Sequence, residues 1–262
     1  MAGISMVDHR ETHDGYAAPH CTATGRCASS LGEFDDGMWA LRATLEPDTC
    51  LSWTTAHGDE GVYVIDGAVE LVGDRSLATR CETGTALILE SSAPLELRAL
   101  TRTELWHCGT SSIGPYVDGI LGPPNAVGHG VHVVPESAAQ ELIHPHPDGS
   151  SATSTYYADG VCRTCRIALF KNGSSAPGEA PSHTHSESEV MHVTVGELRV
   201  GGVVAPAGTS VFIPAEFRYG FRTPGAWEFL NYRRGLANQV RRPHDEPRLE
   251  TWSGLEGVTA TW

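Results

Sequence analysis

The feature that most constrains the fold is an internal repeat of short apolar segments that end in glycine. Residues 60–67 (EGVYVIDG) align with residues 189–196 (EVMHVTVG), and residues 82–89 (ETGTALIL) align with residues 206–213 (PAGTSVFI). The two copies lie about half the chain apart. This arrangement predicts a tandem duplication of one unit rather than one large domain.

The repeated segments have the character of β-strands. The chain contains 29 glycines and 16 prolines, and short β-branched or aliphatic runs lie between them. Closely spaced runs with turn residues between them predict an all-β barrel or sandwich. Helical periodicity is weak, and the best helix candidate is the short segment 135–143.

The repeat also suggests domain boundaries. The predicted parts are an N-terminal arm (1–33), a first barrel (34–112), a connector (113–152), a second barrel (153–235) and a C-terminal tail (236–262). The two arms are expected to add edge strands to the barrels or to cover them.

Composition excludes several classes of function. The formal charge is −14 and Lys171 is the only lysine, so binding to nucleic acid or to an anionic membrane is disfavoured. We find neither a signal-peptide pattern nor an apolar run long enough to span a bilayer.

Seven cysteines without a disulfide-framework spacing favour a reducing cytoplasm. Cys162 and Cys165 have C-x-x-C spacing within a strand pattern, which favours packed thiols over a redox or zinc site.

The segment 181–196 (PSHTHSESEVMHVTVG) carries the chemistry. His183 and His185 are two residues apart, so on a strand they project from the same face. Glu189 begins the next apolar run and could face them from a neighbouring strand; Glu187 is a weaker alternative. Two imidazoles and one carboxylate are typical of a metal site that leaves coordination positions open.

These residues resemble the metal motifs of the cupin superfamily, specifically a two-domain bicupin. The matching positions of the two motifs are Gly178, His183, His185, Glu189 and Gly196, then Gly208 and Pro214. The second motif departs from the family pattern at Glu216, where a glycine is usual, and at Tyr219, where the fourth histidine is usual. The resemblance covers residues 34–112 and 153–235, and it implies two tandem jelly-roll (double-stranded β-helix) barrels.

The resemblance also implies one divalent metal ion, held by His183, His185 and Glu189 in the second barrel. Tyr219 could bind the metal as a phenolate, hydrogen-bond to a metal-bound water, or only line the pocket. The ligand composition favours Fe(II), while Mn, Ni, Cu, Co and Zn remain compatible.

In the first repeat the metal motif has decayed. Thr54 and Ala56 align with the two histidines, and Leu95 aligns with Tyr219. Glu60 survives with His57 nearby, which makes a poor metal cage. A structural role is therefore expected for the first barrel.

The leading hypothesis is a metal-dependent enzyme acting on a small oxygenated metabolite, with non-haem Fe(II) oxygenase chemistry favoured. A non-redox isomerase, lyase or hydrolase is the alternative, with Tyr219 or Glu216 as the catalytic proton carrier. A ligand-binding or regulatory cupin without turnover is a third hypothesis. His192 is expected on an outer face or at an interface rather than in the site, and His144 is expected in a surface loop. A homodimer through sheet edges or outer faces is compatible with the sequence. Candidate substrate anchors are Arg166, Arg199, Arg218, Arg222 and Arg233.

Overall fold

The structure, a computed structural model, describes residues 3–72, 79–111, 130–145, 149–157 and 167–233, together with the backbone of 238–240 and 248–249. Cys162 and Cys165 lie outside these ranges. The described residues form β-strands and one 3₁₀ turn, Glu136–Ala138, which confirms the all-β prediction. Within them, no helix has the length and apolar character needed to cross a bilayer.

The chain divides into two compact units. The N-terminal unit consists of His9–Ala138 with Val161–Ile167. The C-terminal unit consists of Met1–Asp8, Ala139–Gly160 and Ala168–Trp262. Each unit contains two sheets, and every described strand pairing is antiparallel.

The N-terminal unit has a seven-stranded sheet of order β13-β10-β7-β12-β5-β4-β2 and a five-stranded sheet of order β3-β6-β11-β8-β9. The strands are β2 (His13–Asp14), β3 (Cys21–Thr24), β4 (Cys27–Glu33), β5 (Met38–Leu45), β6 (Cys50–Trp53), β7 (Glu60–Asp66), β8 (Ala68–Leu71), β9 (Thr79–Glu82), β10 (Ala86–Leu89), β11 (Glu96–Ala99), β12 (Thr103–Thr110) and β13 (Val131–Val134).

The C-terminal unit has a seven-stranded sheet of order β1-β21-β18-β23-β16-β15-β14 and a six-stranded sheet of order β20-β19-β22-β17-β24-β25. The strands are β1 (Ser5–Asp8), β14 (Gln140–Pro145), β15 (Ser151–Tyr157), β16 (Ala168–Ser174), β17 (Gly178–His185), β18 (Glu189–Val195), β19 (Glu197–Val200), β20 (Val203–Pro206), β21 (Thr209–Ile213), β22 (Tyr219–Thr223), β23 (Trp227–Arg233), β24 (Asn238–Val240) and β25 (Arg248–Leu249).

The internal repeat is visible in the topology. The order β10-β7-β12-β5 in the N-terminal unit matches β21-β18-β23-β16 in the C-terminal unit. Gly67 and Gly196, which end the aligned segments, both have positive φ, +91° and +75°. A Cβ at either position would lie within 2.5 Å of a backbone oxygen, that of Arg102 or Ala226. Glycine is required at both turns because only glycine fits this conformation and this close approach.

Alternation of side chains along the strands builds a core in each unit. In β12 and β5 the buried positions include Leu105, Leu41 and Ala43, and in β18 they include Met191 and Val193. Residues two apart on a strand share a face, so each sheet buries one face against its partner.

The structure corrects the prediction of a helix at 135–143. This segment contains only the 3₁₀ turn and then β14, which pairs with β15. The predicted connector contributes to both units: β13 pairs with β10 of the N-terminal unit, whereas β14 belongs to the C-terminal unit. The N-terminal arm is also shared: β1 pairs with β21, whereas β2, β3 and β4 join the sheets of the N-terminal unit.

Replacing Gly196 by alanine should destabilise the C-terminal unit. The added Cβ would lie 2.2 Å from the carbonyl oxygen of Ala226, and the left-handed conformation alone costs about 1–2 kcal/mol. We expect Gly196→Ala to lower the free energy of unfolding by more than ~2 kcal/mol in chemical denaturation. Gly202→Ala is the control, since no atom lies within 4 Å of that Cβ position. Equal losses in the two variants would contradict this explanation.

Candidate active site

A cavity of about 640 Å³ lies in the C-terminal unit. Strand β23 lines it with alternate residues, in the order Trp227, Phe229, Asn231 and Arg233. The wall therefore changes along the strand from aromatic to polar. His183, His185 and Tyr219 also line the cavity, so the structure brings both predicted histidines and the tyrosine to one place.

Strand β17 carries both histidines. A register shift between Ala180 and His183 interrupts its pairing with β22, and His183 then lies opposite Tyr219. Irregularities of this kind re-aim side chains next to functional sites. The His183 and His185 rings are 4.8 Å apart between centroids, and the His183 and Tyr219 rings are 4.5 Å apart. All three side chains are buried.

Hydrogen bonds fix which nitrogen of each imidazole carries a lone pair. His183 Nδ1 lies 2.7 Å from the carbonyl oxygen of Pro181; since a carbonyl only accepts, Nδ1 is the donor and Nε2 keeps its lone pair. Arg233 Nη2 lies 3.2 Å from His185 Nε2. A guanidinium has only donors, so this Nε2 also presents a lone pair. Both imidazoles thus have the form that binds a cation.

Glu189 reaches the histidines from the facing sheet, and not from a neighbouring strand as the sequence suggested. Its strand, β18, belongs to the seven-stranded sheet, whereas β17 belongs to the other. The carboxylate is fully buried and accepts hydrogen bonds from the Tyr219 hydroxyl, from Asn231 Nδ2 at 2.7 Å and from Arg233 Nε at 2.9 Å. Its Oε1 is 3.9 Å from His185 Nε2.

These partners keep Glu189 ionised. Burial raises the pKa of this carboxyl, but the charge of Arg233 and the hydrogen bonds from Asn231 and Tyr219 outweigh it and lower the pKa from 4.5 to about 2. A buried carboxylate with this set of donors is a fixed negative charge across the physiological pH range.

The residue types of this site suit a divalent cation. A positively charged side chain of the protein already lies at the position where such a cation would bind. The Arg233 guanidinium contacts two of the three proposed ligands, with Nη2 2.8 Å from Glu189 Oε2 and 3.2 Å from His185 Nε2. In this arrangement the described residues contain no group of three His, Cys, Asp or Glu side chains placed to hold a metal. A metal could use all three side chains only after Arg233 moves away from His185 Nε2.

The two predicted proton carriers have different positions. Tyr219 is buried at the cavity and donates its hydroxyl proton to Glu189. Glu216 is exposed on a turn and does not line the cavity. Its φ of +59° lies in the left-handed region that favours glycine, and its side chain is not brought to the site.

Of the five candidate arginines, only Arg233 lines the cavity among the described residues. Arg199 and Arg222 are exposed and paired with glutamates, and exposed Arg218 donates to the carbonyl oxygen of Ser182. Arg166 lies outside the described residues. Asn231 was not predicted from the sequence; its signal is the alternation of polar residues after two aromatic ones in β23.

Two histidines outside the motif were predicted not to belong to the site. His192 was expected on an outer face or at an interface; it is buried, contacts Ser210 Oγ at 3.0 Å and does not line the cavity. His144 was expected in a surface loop, but it lies on β14, lines the cavity and contacts Ser154 Oγ at 3.0 Å. The prolines that follow His144 in the sequence do not predict its place on an edge strand.

The equivalent position in the N-terminal unit is filled by the chain itself. Glu60 Oε2 accepts a hydrogen bond from Trp53 Nε1 at 2.7 Å and lies 2.8 Å from His107 Nε2. The backbone N–H of Trp53 bonds to the carbonyl of Leu95. If Leu95 is the counterpart of Tyr219, the register places Trp53, and not Thr54, at the position of His183.

Gly109 pairs with Glu60 as Arg233 pairs with Glu189. A Cβ on Gly109 would lie 2.7 Å from both Glu60 Cγ and the Trp39 ring. There is therefore no space for an arginine side chain at position 109. His57 Nδ1 lies 3.9 Å from Glu60 Oε1, and its two ring nitrogens contact the carbonyl oxygens of Gly58 and Ala93 at 2.7 Å and 2.8 Å.

No family model and no curated protein matches the sequence. Solved structures match the fold. A Pseudomonas aeruginosa protein provisionally named glyoxylate-induced protein matches with a TM-score of 0.65 and 16% identity, over 94% of this chain and 92% of that one. The protein YlbA from E. coli matches with a TM-score of 0.63 and 9% identity, over 93% of both chains.

An oxalate decarboxylase variant from Bacillus subtilis matches with a TM-score of 0.64 and 13% identity, over 92% of this chain and 80% of that one. A further structure of that decarboxylase concerns its Mn(II) centres. At these identities the likeness shows the fold alone.

The depressed pKa of Glu189 predicts a specific acid sensitivity. Because the folded-state pKa is about 2 and the ordinary value is 4.5, the stabilisation is present above pH 4.5 and is lost as the pH falls toward 2. In Glu189→Gln this pH-dependent component should be missing. The variant should also be less stable at neutral pH by about 3–5 kcal/mol, since Arg233 is left as an unpaired buried charge.

Chemical denaturation between pH 2 and pH 7 measures both effects. Glu179→Gln is the matched control, because Glu179 is an exposed partner of Arg222. If Glu179→Gln and Glu189→Gln had the same pH profile, the buried ion pair would not be the source of the acid sensitivity.

Proposed function

We propose that the protein is a two-barrel cupin enzyme that binds one divalent metal in its C-terminal unit and acts there on a small oxygenated metabolite. The observation that carries this proposal is the contact of one cation, the Arg233 guanidinium, with both His185 Nε2 and Glu189. The carboxylate and the imidazole lone pair form a position that favours positive charge, and it lies in a cavity large enough for a metabolite.

The residues proposed to hold the metal are His183, His185 and Glu189. A divalent metal held by them would supply Lewis acidity to a substrate oxygen, or a redox centre if the metal is iron. The hydrogen bond from His183 Nδ1 to the Pro181 carbonyl supports the role of His183, because such a bond holds the ring orientation of a ligating imidazole.

Other residues of the chain position and enclose the substrate. The Tyr219 hydroxyl and Asn231 Nδ2 each hold one oxygen of Glu189, so the orientation of the carboxylate is fixed before any substrate enters. Phe221, Trp227 and Phe229 form a contacting aromatic group on the cavity wall, with ring centroids 5.3–5.9 Å apart. This wall limits water near the polar end and favours a substrate with an apolar part.

Two reaction classes fit this site. The two-histidine, one-carboxylate composition supports oxygenase chemistry with a non-haem iron. The hydrogen bond between Tyr219 and Glu189 supports a non-redox reaction, because it places a phenol proton beside the proposed metal ligands, where it could be given to or taken from a substrate.

We assign the N-terminal barrel a structural role, since Trp53 and His107 occupy the carboxylate that would otherwise hold a metal. A cytoplasmic location is supported by the five described cysteines, which are all free thiols.

Metal analysis tests the proposed site. Protein purified without chelator and reconstituted with Mn(II), Fe(II), Ni(II) or Zn(II) should contain about one metal per chain. In His183→Ala the metal affinity should fall by more than about 100-fold, since losing a group that merely supports a ligand already costs about 10–100-fold. The fold should persist, because the core is made by apolar strands. His13→Ala is the control, since His13 is exposed in the N-terminal unit; a stoichiometry of two metals, or full affinity in His183→Ala, would contradict the assignment.

Oxygen uptake separates the two reaction classes. We expect an oxygenase reconstituted with Fe(II) to consume O₂ with a substrate from a screen of oxygenated metabolites, and to lose this activity with Zn(II). A substrate consumed at the same rate under nitrogen would exclude the oxygenase. In that case Tyr219→Phe should lower kcat by about 100-fold or more if the phenol carries the proton.

A further inference from the structure

Arg233 occupies the position that the proposed metal would need. Its Nε and Nη2 both contact Glu189 Oε2, at 2.9 Å and 2.8 Å, and Nη2 also contacts His185 Nε2 at 3.2 Å. Two of the three proposed ligands are thus committed to one guanidinium. His185 Nε2 has a single lone pair, so a metal and this guanidinium cannot both bind it.

Charge makes the two cations alternatives. Glu189 is fully buried and Arg233 is 5% exposed, so the ion pair lies in a medium where unbalanced charge is unfavourable. One cation neutralises the carboxylate. A divalent ion added beside an unmoved guanidinium would place two positive groups in contact, and they would repel each other strongly at low dielectric.

Arg233 has a second place to go. It is the last residue of β23, its side chain lines the cavity, and its guanidinium carbon already lies 5.1 Å from the centroid of the Phe170 ring. An aromatic face stabilises a cation that leaves an ion pair. Because the side chain lines the cavity, its rotation into the cavity would clear Glu189 and His185 without moving the strand.

We propose that Arg233 is an exchangeable internal cation: it holds Glu189 until a divalent metal displaces it into the cavity, and it thereby sets the affinity of the site for metal. This inference rests on the proposed metal site at His183, His185 and Glu189. It predicts that metal binding and the Arg233–Glu189 ion pair exclude each other.

Titration with Mn(II) alone, followed by the electron paramagnetic resonance of the free ion, measures the competition in the full chain. Arg233→Gln should bind Mn(II) at least tenfold more tightly than the unaltered protein, because the competing cation is gone. Arg222→Gln removes an exposed arginine of the same unit and should leave the affinity unchanged. The double variant Arg233→Gln, His183→Ala should lose the gain.

The outcomes separate this inference from the proposed function. Equal affinities in the unaltered protein and Arg233→Gln, with binding lost in His183→Ala, would overturn the exchange and leave the metal site intact. No Mn(II) binding in any variant would overturn both.

A second measurement needs no arginine variant and covers the case in which Arg233→Gln does not fold. The Nε–H resonance of Arg233, observed by ¹⁵N nuclear magnetic resonance, should shift on addition of diamagnetic Zn(II). It should not shift in His183→Ala. A resonance unaffected by stoichiometric Zn(II) in the unaltered protein would contradict displacement.

Discussion

The candidate site depends on one buried negative charge, the carboxylate of Glu189. A carboxylate removed from water is stable only if cations and hydrogen-bond donors replace its hydration. The two sheets of the C-terminal unit meet this requirement together: Asn231 and Arg233 come from the strand beside Glu189, and Tyr219 comes from the facing sheet. The polar end of the cavity is arranged around that need for positive charge.

The N-terminal unit satisfies the same constraint differently. Glu60 is equally buried at the same point of the repeated topology, but an indole N–H and an imidazole bind it, and Trp39 fills the space beside Gly109. Both donors bind Oε2 of Glu60, and Gly109 leaves no room for a side chain that could act as Arg233 does in the C-terminal unit. The comparison gives a physical reason why, of two units with matching strand order, the C-terminal one contains the candidate site.

The sequence predicted the features that depend on local pattern. The period of two along a strand placed His183 and His185 on one face. The repeated glycines marked equivalent turns in the two units, since Gly67 and Gly196 both have positive φ. Register between distant strands is not a local property. For that reason the sequence could not select Arg233 from five arginines, missed Asn231, and misplaced the counterpart of His183 by one residue.

Other errors have the same origin. The segment 135–143 contains residues that favour a helix, but pairing of β14 with β15 overrides that preference. Glu216 follows the motif proline, so its spacing made it a candidate, yet the turn that requires its positive φ directs it to solvent. His144 reached the cavity through the same β14–β15 pairing, which nothing in its own neighbourhood predicts.

The most direct test of the central claim is an anomalous difference map from crystals of the full chain grown with Mn(II). We predict one peak, within coordinating distance of His183 Nε2, His185 Nε2 and Glu189, with the Arg233 guanidinium turned away from the carboxylate into the cavity. A peak beside Glu60, or a guanidinium that stays on Glu189 in crystals whose only metal lies elsewhere, would contradict it.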